Sequence, residues 1–179
     1  MNTTFSTDST VNTTPLKIDS ALSAQVQVLG DSLRAKGWSV SSAESCTGGG
    51  VAFAFTSVSG SSDWFNQSWI TYSNDAKKRT LGVSEQTLQE FGAVSKQTVK
   101  EMAEGVRRNS GAQLVVTVSG IAGPGGGSEE KPVGTVWFGF MCGAMSEQIK
   151  QVFSGDRDEV RQHAIAFAMT HLVKMLSEN

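Results

Sequence analysis

The stretch that most restricts the fold is the nearly continuous apolar run Gln113 to Ser119 (QLVVTVS). A strand covered on one face alternates polar and apolar residues, whereas an unbroken run like this one suits a strand covered on both. It passes directly into Gly120-Ile121-Ala122-Gly123-Pro124-Gly125-Gly126-Gly127, which is too rich in glycine to be other than a loop. Upstream, Ile18 to Lys36 repeats apolar residues at helical intervals (Leu22, Val26, Leu29, Leu33), and Gly37 stands where a helix stop belongs. Trp38 to Ala43 reads as a short strand that ends at the tight turn Glu44-Ser45-Cys46-Thr47-Gly48-Gly49-Gly50, and Val51 to Val58 reads as a helix.

Ser68 to Tyr72 is expected to form a second strand, with Asn74 capping a helix through Leu81. Ser84 and Ser95 are expected caps of the next two helices, the second presenting Val99, Met102, Ala103 and Val106 on one face. Val133 to Met141 and Gln148 to Phe153 read as a hairpin through Gly143. Arg157 to Leu176 is a closing helix with Val160, Ala164, Phe167, Ala168, Leu172 and Leu176 inward. Helices alternating with strands, then a late hairpin, imply a single-domain α/β fold: a three-layer α/β/α sandwich with a mixed sheet over residues 18–179. Residues 1–17, rich in Thr and Ser and without a basic start and apolar stretch, read as a mobile tail and not as a secretory signal.

A net charge of -2 argues against generic nucleic-acid binding but leaves room for a small anionic ligand. Cys46 and Cys142 form no paired motif and have no metal-ligand spacing, which fits a reduced, cytoplasmic setting. No apolar run is long enough to span a bilayer. Trp64, Phe65 and Trp69 cluster beside an expected surface loop, which points to a homo-oligomer; core packing explains the cluster nearly as well.

Four places can carry chemistry. At the strand-to-helix turn, Ser45 or Thr47 can simply cap the helix; alternatively Ser45 is a nucleophile, with backbone N–H groups around Cys46, Thr47 and Gly48 receiving an anion. Cys46 is a rival nucleophile, but a catalytic thiol wants a cationic neighbour, and the only histidines, His163 and His171, both lie on the closing helix. That leaves lysine as the base. The segment Tyr72 to Lys78, which carries Lys77, lies at the end of an expected strand, and burial or a nearby cation must lower the Lys77 pKa from about 10.4 before it can accept a proton. Tyr72 can relay that proton, or Lys77, Lys78 and Arg79 can form a solvated helix face. The loop from Ser119 and Gly120 is a second anion candidate, though it is neither a Walker A loop nor a dinucleotide fingerprint. Last, Asp156 fits an N-cap, whereas a cation at Arg157 opposes the helix dipole unless it has another task; Arg157 or Arg161 can clamp a phosphate.

Residues 43–49 (AESCTGG), 72–77 (YSNDAK), 92–95 (GAVS), 119–127 (SGIAGPGGG), 131–137 (KPVGTVW) and 153–157 (FSGDR) occur in order. Together they resemble the competence/damage-inducible protein (CinA) C-terminal domain family, to which bacterial nicotinamide-nucleotide amidohydrolases belong. The resemblance covers roughly residues 20 to 175, with no room for the extra N-terminal domain of fuller relatives. It implies hydrolysis of nicotinamide mononucleotide to nicotinate mononucleotide and ammonia, without metal or cofactor. By it Ser45 is the nucleophile, Lys77 the general base and Tyr72 the proton relay, while Ser119, Gly120 and the Arg157 region hold the nucleotide. Two rivals stand beside this reading. One is a metal-dependent phosphatase or pyrophosphatase, which would want a carboxylate cluster. The other is a non-catalytic nucleotide- or partner-binding module linked to competence or DNA damage.

Overall fold

A computed structural model describes residues 18–179; the expected N-terminal tail lies outside the described residues. The elements run α1 (Ser20–Lys36), β1 (Val40–Glu44), α2 (Gly50–Thr56), β2 (Phe65–Ile70), α3 (Asn74–Leu81), α4 (Glu85–Phe91), α5 (Lys96–Ser110), β3 (Leu114–Gly120), β4 (Thr135–Cys142), β5 (Met145–Val152) and α6 (Arg157–Ser177). The sheet has the order β2-β1-β3-β4-β5. The first three strands are parallel; β4 and β5 are antiparallel to their neighbours, so the sheet is mixed as expected. Successive residues of β3 feed opposite cores. Leu114, Val116 and Val118 pack with residues of α1, α2 and α6, and Val115 with Leu81, Met102 and Val106 of α3 and α5. This is why the run at 114–119 is buried on both faces, and why the molecule has three layers. No helix among the described residues is long and apolar enough to cross a membrane.

Capping chemistry places most helix starts. The side chains of Ser84 and Ser95 accept from the N–H groups of Thr87 and Thr98, as expected. Asp156 caps α6 in a capping box completed by Glu159. At α3 the cap is Ser73, not Asn74: the Ser73 hydroxyl accepts from Ala76 N, and Asn74 is the first helical residue. The second strand begins and ends earlier than its sequence suggests, Phe65–Ile70 in place of Ser68–Tyr72. As an edge strand with exposed Asn66 and Gln67 it lacks a clear apolar pattern, and its register is set by pairing with β1.

The aromatic cluster is mainly core. Trp64 is fully buried, edge-on to Phe55 at 6.0 Å, and packs so tightly on Gly30 that a Cβ there would lie 2.7 Å from its Nε1. Phe65 lies 5.3 Å from Phe55. Trp64 therefore gives no exposed patch on which to base an oligomer.

Candidate active site

The three parallel strands end on one side of the sheet, and each delivers residues to the same place. β1 runs into Ser45, β2 into Thr71 and Tyr72, and β3 ends at Ser119 and Gly120. Ligands of open α/β sheets collect at such carboxyl ends. A cavity of about 230 Å³ opens there, lined by Ser45, Cys46, Tyr72, Lys77 and Arg157 together with Ser119 and Gly120. Ala93, Val94 and Ala122 complete its wall.

At its centre, Lys77 Nζ lies 3.2 Å from Ser45 Oγ and donates to Thr71 O at 2.7 Å. These are its two hydrogen-bond partners among the described residues, and neither is a carboxylate. Lys77 is 1% exposed, so its charge is poorly solvated. Burial brings its pKa down from 10.5 to about 8. A neutral amine keeps one lone pair, and with Thr71 O taking one N–H that lone pair can accept the Ser45 proton. The next two cations on α3 are solvated: Lys78 pairs with Glu85, and Arg79 pairs with Asp75 at 2.8 Å.

Cys46 points to the same cavity, but its surroundings suit a thiol and not a thiolate. Burial pushes its pKa up to about 11. Neither histidine lines the cavity. His171 lies 2.9 Å from Glu147 and packs on Phe140 and Phe167, while His163 lies beside Phe153.

The turn after Ser45 differs from its expected form. Neither Ser45 nor Thr47 caps α2; the N-cap is Gly49, at φ 100, a left-handed conformation that glycine tolerates and that carries no capping side chain. The capping group comes from the strand. The Glu44 carboxylate, fully buried, accepts from Gly49 N (3.0 Å), Val51 N (3.1 Å), Ala52 N (2.9 Å) and Thr47 Oγ1 (2.6 Å). Gly48 N donates to Ser45 O at 3.1 Å, and Gly50 N to Thr47 O at 3.2 Å. Among the described residues, the N–H groups of Cys46 and Thr47 have no oxygen acceptor; both lie beside the Cys46 sulfur, whose charged form they favour against the larger effect of burial.

The remaining expected residues divide. Tyr72 is 62% exposed, and its hydroxyl accepts from Arg157 Nη2 at 3.3 Å; it bonds neither Ser45 nor Lys77. Arg157 also donates to Gly123 O at 2.8 Å, so it bridges the glycine-rich loop and Tyr72 across the cavity mouth. Arg161 stands elsewhere. It donates to Thr47 O at 3.2 Å and, with Gly48, lines a separate cavity of about 550 Å³ behind the turn. Ser119 is buried, and its hydroxyl donates to Ala93 O at 2.8 Å, pinning the 92–95 wall. Gly120 permits close packing, since a Cβ there would lie 2.8 Å from Thr135 O.

Sequence reasoning assigned no role to Glu44 or to the Thr71 carbonyl, nor to Ala93 and Val94. The signal for Glu44 was present, an acid directly before the candidate nucleophile and ahead of a glycine turn. Its partners lie up to eight residues on, beyond the spacing of ordinary caps. Among the described residues no three His, Cys, Asp or Glu side chains cluster as a metal site.

Comparison with known proteins adds to this geometry. The family model described as CinA C-terminal domain matches residues 22–176. The chain is 54% identical over 153 residues to the nicotinamide-nucleotide amidohydrolase PncC of Enterobacter agglomerans, covering 84% of this chain and 93% of that one. It is 50% identical over 163 residues to PncC of Escherichia coli strain K12, covering 90% and 98%. The crystal structure of the competence/damage inducible protein CihA from Agrobacterium tumefaciens superposes with a TM-score of 0.86 at 38% identity, covering 89% of this chain and 98% of that one.

Proposed function

Because the chain belongs to the CinA C-terminal domain family, we propose that it is a nicotinamide-nucleotide amidohydrolase, converting nicotinamide mononucleotide and water to nicotinate mononucleotide and ammonia. The observation that carries the mechanism is the buried amine of Lys77, 3.2 Å from the Ser45 hydroxyl and without a carboxylate partner. Relatives of nearly the same length bearing that activity in their names support the substrate. Residues 18–179 form the catalytic unit on this reading. Two buried free thiols support a cytoplasmic location.

Ser45 Oγ attacks the carboxamide carbon while neutral Lys77 takes its proton. The carbonyl oxygen becomes an oxyanion facing the N–H groups of Cys46 and Thr47, and each such donor contributes about 3 kcal/mol to the transition state. Protonated Lys77 passes its proton to the departing nitrogen, ammonia leaves, and an ester to Ser45 remains. Lys77, neutral again, draws a proton from water, which attacks the ester; as the acyl–oxygen bond breaks, Lys77 returns that proton to Ser45 Oγ at 3.2 Å, releasing the carboxylate product and restoring both side chains. Arg157 at the mouth attracts the phosphate, with Tyr72 as its companion.

Ammonia release from nicotinamide mononucleotide by the purified protein is the direct test; folded protein that releases none at pH 8.5 overturns the reading. Two further results are expected. Since the base must be neutral, kcat/KM should rise with pH along a single-proton curve with its midpoint near 8, the Lys77 value; a profile flat from pH 6.5 to 9.5 excludes Lys77 as base. Tyr72→Phe should raise KM several-fold, on the order of 1 kcal/mol, and hold kcat within about threefold, because the phenol meets Arg157 and not the reacting groups. A collapse of kcat with KM unchanged would instead make Tyr72 the proton relay.

A further inference from the structure

We infer that Glu44 is a positioning residue of this reaction: its buried carboxylate holds the Ser45 turn in its reactive shape and reserves the N–H groups of Cys46 and Thr47 for the substrate oxygen. The inference rests on the nucleophile role proposed above for Ser45.

The start of a helix following a glycine turn is ordinarily a place where an anion binds. Here that place is filled from within. One carboxylate oxygen takes Thr47 Oγ1, Gly49 N and Val51 N, and the other takes Ala52 N. With Gly48 N on Ser45 O and Gly50 N on Thr47 O, every N–H from residue 48 to residue 52 has an acceptor. The substrate oxygen is therefore left with Cys46 and Thr47, the two N–H groups adjoining Ser45.

Capping alone does not explain this choice of residue. A Ser, Thr or Asp at the N-cap would satisfy α2 locally, without the desolvation of a fully buried carboxylate. Instead the N-cap is Gly49, and the acceptor reaches across the loop from the end of β1. Such a bond joins the two sides of the turn that carries Ser45. Ser45 itself is anchored to the sheet through its N–H, which donates to Val118 O at 2.9 Å, so the carboxylate fixes the other side against a rigid base. Thr47 is fully buried, and its hydroxyl has Glu44 as its one partner among the described residues, which makes it part of the same clamp.

The consequence is kinetic. A misplacement of about 1 Å in a catalytic constellation costs on the order of 100-fold in rate. Glu44→Gln keeps the shape but sets an NH2 group against N–H donors, and should lower kcat by about tenfold or more with KM within twofold. The pH midpoint should stay near 8, because Lys77 is untouched. Thr47→Val, which removes one bond and keeps the volume, should lower kcat in the same direction by a smaller factor, about threefold, and serves if the Gln variant fails to fold. Both are to be measured per folded molecule, alongside the rate at which a serine-directed fluorophosphonate labels Ser45, read by mass spectrometry. Slower labelling in the variants supports the inference even if the wild type releases no ammonia from nicotinamide mononucleotide, in which case only the substrate reading fails. Labelling and kcat equal to wild type in folded variants, with only the melting temperature lowered, make Glu44 a purely structural cap and overturn it. So does a wild-type Ser45 that neither labels nor turns over.

Discussion

Lys77→Met is expected to abolish turnover and, at neutral pH, to make the protein harder to unfold. Loss of the general base removes the only group bonded to Ser45 Oγ among the described residues, and kcat/KM should fall by at least about 1,000-fold, at the upper part of the range for general-base contributions and beyond, since the same amine also protonates the leaving group. The gain in stability follows from linkage. With a pKa near 8 in the folded chain and 10.5 as the ordinary value, both states hold the proton below pH 8, and the folded state bears the full penalty of a buried cation, about 3 kcal/mol. Between pH 8 and 10.5 the unfolded chain still holds the proton and the folded chain does not, so stability rises with pH.

Methionine carries no charge and abolishes that rise. Leaving the Thr71 carbonyl without its donor costs about 1 kcal/mol, so the net gain at pH 7 should be about 2 kcal/mol. Urea unfolding of both proteins at pH 7 and pH 10 checks this: the advantage of the Met variant should be present at pH 7 and vanish by pH 10. A variant that still turns over, or one destabilised equally at both pH values, would falsify the assignment of a strained buried base.

Ser45→Ala should be as inactive as any variant of this protein, with kcat down by about 10,000-fold or more, because the covalent route closes and water in its place has no comparable position. Cys46, the adjacent thiol, should not rescue it: buried, with its pKa near 11, it supplies almost no thiolate at neutral pH. The Ser45 side chain bonds only Lys77 among the described residues, so the change in folding stability should stay within about 1 kcal/mol. Affinity for nicotinamide mononucleotide should survive, measured by calorimetry on the inactive protein. Loss of binding together with loss of activity would instead place Ser45 among the groups that hold the substrate. Activity remaining in Ser45→Ala and missing in Cys46→Ala would name the thiol as nucleophile.

Several features follow from local sequence because their causes are local. Ser84, Ser95 and Asp156 cap helices whose first N–H groups lie two or three residues away. The run at 114–119 needs cover on both faces, which already implies three layers. The turn at residues 44–50 and the glycine loop after Ser119 mark the strand ends where the cavity lies. Tertiary packing alone decided the rest. Of three consecutive cations on α3, the side facing the core is set by how that helix lies on α5 and the sheet, and this selects Lys77 for burial while Lys78 and Arg79 stay in water. The same dependence sends Arg157 to the cavity mouth and Arg161, one turn further along α6, behind the nucleophile turn, to a bond spanning 114 residues with Thr47. Sequence reports side-chain chemistry and short-range periodicity. The desolvation that makes an amine basic enough, and the meeting of residues 45 and 77, exist only once the chain has closed around them.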